Sequence, residues 1–146
     1  MASSIGHSRM KPLPPDSARP LVLCVDDAEI SLRVRKLLLT IAGYDVVTAD
    51  SGEAGLEMFK NNPIDLVIAD HFLTGRSGTE IAREMKQIKP HVPILILSAA
   101  ADMPEGIEFA DDFVSKGDDL EMLLQTIARL LQRNSQQAMG PASPNL

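Results

Sequence analysis

Short apolar runs alternate along this chain with longer stretches in which apolar residues recur at helical spacing. The longer stretches separate the runs, so consecutive strands need crossover connections, which are typical of a parallel sheet. The pattern therefore predicts an α/β domain over residues 20–133. The five strand candidates are PLVLCVD, YDVVTA, IDLVIAD, VPILILS and DDFVS.

Two predicted helices follow the first two strands. The first carries an apolar stripe of the kind that faces a protein core, and it ends at Gly43. The second is predicted from Ser51, a suitable N-terminal cap, to about Asn62. The stripe of the first helix consists of Ile30, Val34, Leu37, Leu38 and Ile41.

Two more helices are predicted in the second half of the chain. Ser77 and Glu80 have the spacing of a capping box, and Pro90 stops the helix that follows them. The last helix is predicted over about Asp118 to Arg133. The inward faces are predicted to carry Ile81, Met85 and Ile88 in the earlier helix, and Leu120, Leu123, Leu124, Ile127, Leu130 and Leu131 in the last.

The connection between the fourth and fifth strands is too short for a full helix. Only MPEGIEFA separates SAAAD from DDFVSK, and Pro104 and Gly106 leave room for about one helical turn. One crossover of the sheet is therefore predicted to be truncated.

Composition narrows the possible environments and partners. The chain has 146 residues, is 45% hydrophobic and carries a net charge of -6, which disfavours nucleic acid as a direct partner. The single Cys24 lies in an apolar run and is expected to be a buried residue in a reducing compartment. No segment has the length of a membrane span, so we expect a cytoplasmic protein that does not bind membranes. Residues 1–19 and 134–146 are expected to be flexible tails.

Polar residues stand where the predicted strands end. The first strand stops at two adjacent carboxylates, Asp26 and Asp27, and the third stops at Asp70. The fourth strand ends at Ser98, and Lys116 follows the fifth. An isolated aspartate at a strand end is most often a helix cap or a solvated loop residue. In an open parallel sheet, however, all these strand ends meet at the edge where ligands bind.

Three converging carboxylates repel one another, so either their pKa values rise or a cation neutralises them. Magnesium suits such a site because it prefers oxygen ligands and commonly joins one or two carboxylates to phosphate oxygens. Ser98 and Lys116 are then placed to meet an anion beside the metal, as in phosphoryl transfer. A carboxylate can serve as the nucleophile, and Asp70 is the candidate because it lies centrally among the strand ends.

The same residues resemble the receiver domain of two-component response regulators. The likeness covers about residues 20–133 and implies a flavodoxin-like, doubly wound sheet of five parallel strands in the order 2-1-3-4-5, here with a shortened fourth helix. The matching positions are VDD at 25–27, Asp70 in DLVIAD, Gly78, SA at 98–99 and Lys116 in DDFVSK.

The resemblance implies a role for each matching residue. Asp70 would accept a phosphoryl group from a histidine kinase or a phosphotransfer protein. Ser98 and Lys116 would hold the phosphoryl oxygens, and Phe113 would be an aromatic switch residue, although it is equally well explained as an ordinary apolar strand residue. The implied magnesium ligands are the side chains of Asp27 and Asp70, Asp26 through a water molecule, and the main-chain carbonyl of Phe72.

Several positions depart from the family pattern. Thr74 and Gly117 replace prolines that are usual there, and without proline the Lys116–Gly117 bond is expected to be trans. Phe72 and Ala100 occupy positions that tune the phosphate lifetime in the family, and because both are apolar we expect slow self-hydrolysis. His71 is expected to have a structural role, since adjacent strand residues point to opposite faces.

We therefore predict a stand-alone response regulator that signals through an unknown protein partner, because only 13 residues follow the last predicted helix at Arg133. It would catalyse only its own phosphorylation and dephosphorylation. Two alternatives remain. One is a pseudo-receiver binding module that phosphorylation does not regulate. The other is a phosphatase of the haloacid dehalogenase type, which would place an acid where this chain has Phe72.

Overall fold

A five-stranded parallel sheet forms the centre of the molecule. The computed structural model describes residues 19–99 and 103–139, the last six of them by backbone only. The strand order β2-β1-β3-β4-β5 is the predicted one, and every neighbouring pair is parallel. The strands are β1 (Leu21–Val25), β2 (Asp45–Ala49), β3 (Leu66–Asp70), β4 (Ile94–Ser98) and β5 (Asp112–Ser115).

In the described part of the chain, four α-helices cover the two faces of the sheet. The predicted caps of the second and third are confirmed: the Ser51 side chain accepts from the Ala54 amide, and Ser77 and Glu80 form the capping box. The helices are α1 (Glu29–Ile41), α2 (Gly52–Asn61), α3 (Gly78–Ile88) and α4 (Leu120–Met139). α4 continues past its predicted end at Arg133. Residues 134–139 lack the apolar pattern that predicts a helix, but they contain no Gly or Pro that would stop one.

Alternate residues of each strand contribute to two apolar layers. Leu23, Val25 and Ile96 pack with α2 and α3 on one face of the sheet. Val22, Ile68 and Leu97 pack with α1 and α4 on the other face. Cys24 is fully buried in this second layer, as predicted. Both faces of the sheet are therefore covered, and the strand ends remain as the accessible edge.

The predicted orientation of α1 is wrong. Four of its five stripe residues are exposed, and Leu38 is only half-buried. The buried positions are instead Leu32 and Leu39, because this helix is apolar on two sides and periodicity alone does not say which side meets the sheet. The exposed stripe consists of Ile30 (74%), Val34 (50%), Leu37 (60%) and Ile41 (58%).

Helices α3 and α4 follow the prediction in their central turns and depart from it at their ends. Ile81 and Met85 are fully buried, whereas Ile88 is 39% exposed where α3 ends. In α4, Ile127 and Leu130 are buried, and Leu120 is 40% exposed at the first turn. Leu123, Leu124 and Leu131 are half-buried against the α1 side of the sheet. At these two helix ends the apolar period therefore overstates burial.

The fourth crossover is shortened as predicted. Its described part, residues 103–111, contains one turn of 3-10 helix, Ile107–Phe109. Residues 1–18 and 140–146 of the predicted tails lie outside the described residues. Among the described residues, no helix is both long and apolar enough to cross a membrane.

Candidate functional site

The three predicted carboxylates meet at the carboxyl edge of the sheet. β1 and β3 are neighbours in register, so Asp26 and Asp27, which follow β1, face Asp70 at the end of β3. One carboxylate oxygen from each of the three residues lies within 4.8 Å of the others. The strand ends therefore bring together the residues that the sequence identified as one site.

Asp26 is buried and is held from several directions. Its amide donates to the Ala49 carbonyl at 3.1 Å, and its Oδ1 accepts from the Ala28 amide at 2.9 Å. Its Oδ2 lies 3.3 Å from Lys116 Nζ and 3.4 Å from Arg35 Nη1. Because the side chain is fully inaccessible to solvent, both cations compensate for the loss of hydration. Asp26 is therefore a fixed anion at the base of the site.

Asp27, the next residue, is exposed and is held differently. Its Oδ2 accepts two hydrogen bonds from Thr74, from Oγ1 at 2.7 Å and from the amide at 3.1 Å. The Thr74 hydroxyl is the main reason that the pKa of Asp27 lies below its ordinary value, since hydrogen bonds to a carboxylate favour the charged form. Asp27 is thus an ionised carboxylate at the mouth of the site.

Asp70 lies between these two environments. Its side chain is almost completely buried, and this burial raises its pKa, while hydrogen bonding and charge from Lys116 lower it in part. Lys116 Nζ is 3.2 Å from Asp70 Oδ2, and the Phe72 amide donates to Asp70 Oδ1 at 3.4 Å. Asp70 therefore combines a buried carboxylate with an adjacent cation, which is suitable geometry for a nucleophile that receives an anionic group.

Ser98 and Lys116 are brought together by the pairing of β4 with β5. The Lys116 amide donates to the Ser98 carbonyl at 2.8 Å, one step beyond the paired residues Ser98 and Ser115. Ser98 is fully buried at the end of its strand. The described residues contain no cis peptide bond, so the Lys116–Gly117 bond is trans as predicted.

The start of α3 lies directly against the end of β3. The Gly78 amide donates to the His71 carbonyl at 2.7 Å, and a Cβ at position 78 would clash with the carbonyl oxygen of Asp70. Only glycine therefore allows the helix to approach so closely. This contact gives a physical reason for Gly78, which lies eight positions after Asp70 and is one of the residues that match the family pattern.

The other predicted residues lie around this centre. Phe72 is 58% exposed, and Phe113 is half-buried and packs against the core layer on the α2 and α3 side. The His71 ring packs edge-on against Phe72 with centroids 4.9 Å apart, and its buried Nδ1 lacks a hydrogen-bond partner among the described residues. Ala100 lies outside the described residues.

Two contacts of the site were not found by sequence reasoning. Arg35 reaches Asp26 from α1, and Thr74, noted only as a departure from the family pattern, holds Asp27. A signal existed for Arg35, since it lies three residues after Leu32 and four before Leu39, on the inward side of its helix. That signal could be interpreted only after the inward side of α1 was known.

The donor set fits a magnesium ion. Three carboxylates offer oxygen ligands, and two cations, Arg35 and Lys116, neutralise only part of their charge. A hard divalent cation is favoured by this combination, because oxygen ligands and residual negative charge both increase its affinity. The side chains of Asp27 and Asp70 are the residues that would hold it, with Asp26 behind them.

Comparison with known proteins gives the same assignment. The family model for the response regulator receiver domain matches residues 22–128. The transcriptional regulatory protein GlrR of Escherichia coli is 32% identical over 78% of this chain, which covers 27% of GlrR. Response regulator RR06 of Streptococcus pneumoniae is 34% identical over 77% of this chain, which covers 53% of RR06. The chain thus spans between about a quarter and a half of these two relatives.

The fold is also similar to solved structures over their whole length. The response regulator protein TrrA of Thermotoga maritima, solved in complex with Mg2+ and BeF, has a TM-score of 0.73 and 31% identity. The matched region is 76% of this chain and 98% of that chain. The likeness therefore extends over almost the whole of that chain.

Proposed function

Because the chain belongs to the response regulator receiver domain family, we propose that Asp70 accepts a phosphoryl group from a histidine kinase or a phosphotransfer protein in a magnesium-dependent reaction. The observation that carries the proposal is the position of Asp70. It is a nearly buried carboxylate whose Oδ2 lies 3.2 Å from the Lys116 ammonium, within a cluster of three carboxylates. The same arrangement is the expected one for an acyl phosphate acceptor.

The proposed step is a displacement at phosphorus. A carboxylate oxygen of Asp70 forms a bond to phosphorus while the bond from phosphorus to the donor's imidazole nitrogen breaks. The nitrogen keeps the electron pair and takes a proton from solvent, so that the donor leaves as neutral imidazole. Magnesium, when bound, would neutralise charge on the transferred oxygens.

The surrounding residues position this step. Lys116 already contacts Asp70, so its ammonium is available to the phosphoryl oxygens once the acyl phosphate has formed. Ser98 ends the strand beside Asp70 and would hold another of those oxygens. Phe113, in β5, would transmit the change by repacking against the core layer that it already contacts.

We infer that the output is a protein contact. The exposed apolar stripe of α1 (Ile30, Val34, Leu37 and Ile41) supports a protein partner, because contiguous exposed apolar surface commonly marks such contacts. The net charge of -6 is unfavourable for direct binding of nucleic acid. Either a phosphorelay intermediate or a terminal regulator fits these features.

Incubation with a small acyl phosphate and magnesium tests the proposal without requiring the natural donor. The intact protein should gain the mass of one phosphoryl group, in an adduct that is stable in acid and labile in base. The gain should disappear when magnesium is chelated and in Asp70→Asn. A protein that binds magnesium yet gains no mass would instead be the pseudo-receiver binding module.

A further inference from the structure

Arg35 occupies an unusual position in α1. It lies on the side of the helix that faces the sheet, between the buried residues Leu32 and Leu39, and its side chain is only 12% exposed. A charged residue at such a position is costly unless a specific partner compensates for its lost hydration. The position therefore calls for an explanation beyond helix packing.

The partner of Arg35 is a residue of the phosphorylation site. Arg35 Nη1 lies 3.4 Å from Asp26 Oδ2, the same oxygen that Lys116 Nζ approaches to 3.3 Å. Lys116 Nζ is also 3.2 Å from Asp70 Oδ2. Arg35, Asp26, Lys116 and Asp70 thus form a continuous chain of alternating charge from α1 to the phosphoacceptor.

Lys116 contacts two carboxylates before phosphorylation, those of Asp26 and Asp70. Under the proposed function the Asp70 carboxylate becomes an acyl phosphate, whose phosphoryl oxygens carry more negative charge and draw the lysine away from Asp26. If Lys116 were the sole counterion of Asp26, its movement toward a phosphoryl group would leave a fully buried carboxylate without a cation, which is strongly unfavourable. Arg35 removes this conflict because it reaches Asp26 from α1, whereas Lys116 follows β5. It can remain there while the lysine moves.

We propose that Arg35 is a positioning residue that acts as the permanent counterion of Asp26, frees Lys116 for the phosphoryl group and weakens the binding of magnesium. The inference rests on the proposed function of Asp70. Among the described residues, the three carboxylates and two cations of the site give a net charge of -1 with Arg35 and -2 without it. A divalent cation should bind more tightly to the more negative site, while the lysine should be retained by Asp26.

The test compares Arg35→Met with the wild type in two measurements. Magnesium affinity is measured directly by calorimetry or by NMR titration, without any phosphodonor. Removal of the positive charge should tighten magnesium binding by roughly three- to tenfold at low salt, and less at high salt because of screening. The rate of phosphorylation by a small acyl phosphate at saturating magnesium should fall by about tenfold.

Two further variants separate this role from a general effect of charge or stability. Arg33→Met removes the same charge from an exposed position of the same helix and should change magnesium affinity much less. Arg35→Lys restores the charge and should return magnesium affinity toward the wild-type value. Thermal unfolding of each variant reports folding separately, and Arg35→Gln, which keeps a hydrogen-bond donor, replaces the methionine variant if that variant does not fold.

The outcomes also distinguish the inference from the function on which it rests. Tighter magnesium binding in Arg35→Met with slower phosphorylation would support the role, since a residue that merely stabilises the fold would leave binding unchanged or weaken it. Unchanged or weaker magnesium binding in a folded Arg35→Met protein would overturn the inference. If the wild type binds no magnesium and gains no phosphoryl group, it is the proposed function that fails.

Discussion

The two sides of the acidic site differ although Asp26 and Asp27 are adjacent in sequence. Asp26 belongs to a closed side, formed with Arg35 and Lys116, where the carboxylate is inaccessible to solvent and is neutralised by cations. Asp27 belongs to an open side, formed with Thr74 and Phe72, where hydrogen bonds hold an exposed carboxylate.

Because of this difference, we expect the two carboxylates to have different roles in metal binding. The closed side keeps a negative charge in place, and both of its cations lie beside Asp26 Oδ2. The open side has an ionised carboxylate that a metal can approach from solvent without displacing a cation. Direct metal contact is therefore expected on the open side, and an indirect role on the closed side.

The largest expected effect concerns magnesium affinity. Asp27→Ala should weaken magnesium binding by more than about 100-fold, because it removes a direct ligand. Asp26→Ala should weaken it by only about tenfold, which is usual for a residue that does not touch the metal itself. Calorimetric or NMR titration with magnesium measures both. Equal losses in the two variants would mean that the closed and open sides contribute alike.

A smaller effect is expected for the lifetime of the phosphorylated protein. Phe72 is exposed on the open side and cannot orient an attacking water molecule, whereas an amide could. Phe72→Asn should therefore shorten the lifetime by about tenfold. The decay of the phosphoryl mass gain measures this lifetime, with Phe72→Leu as the apolar control. An unchanged lifetime in Phe72→Asn would contradict the expectation of slow self-hydrolysis.

The smallest effects concern stability, and they should have opposite signs. Burial raises the pKa of Asp70, so its charge costs stability at neutral pH, and this cost disappears as the pH falls through the raised pKa. The pKa of Asp27 is lowered, so its contribution is present above the ordinary value of 3.8 and is lost as the pH falls below it.

At pH 7, Asp70→Asn should therefore raise the free energy of unfolding, and Asp27→Asn should lower it, the latter by about 1 kcal/mol or less because solvent screens the exposed Asp27 charge. Denaturant unfolding at pH 7 measures the two changes. Changes of the same sign would show that the two aspartates do not lie in different environments.

The sequence was sufficient for the site because its residues lie at strand ends. An apolar run that stops at a carboxylate marks the edge of a sheet, and parallel pairing brings Asp26, Asp70 and Ser98 to one edge whatever the details of packing. The capping residues Ser51 and Ser77 were equally predictable, since a cap depends on neighbours within one turn.

The orientation of α1 and the contacts of its residues required the structure. The sequence contains two apolar sides in this helix, and only packing against the sheet selects Leu32 and Leu39 over the more regular stripe that includes Val34 and Leu37. Arg35 could be recognised only after that choice. The bond from Thr74 to Asp27 joins residues 47 positions apart and likewise depends on tertiary structure.

The most direct test of the whole account is to locate the phosphoryl group. After incubation with a small acyl phosphate and magnesium, borohydride reduction converts a phosphorylated aspartate to homoserine, which peptide mass spectrometry identifies. We expect homoserine at position 70 alone, dependent on magnesium. A phosphoryl group on the neighbouring His71, homoserine at position 26 or 27, or no modification in a protein that binds magnesium would contradict it.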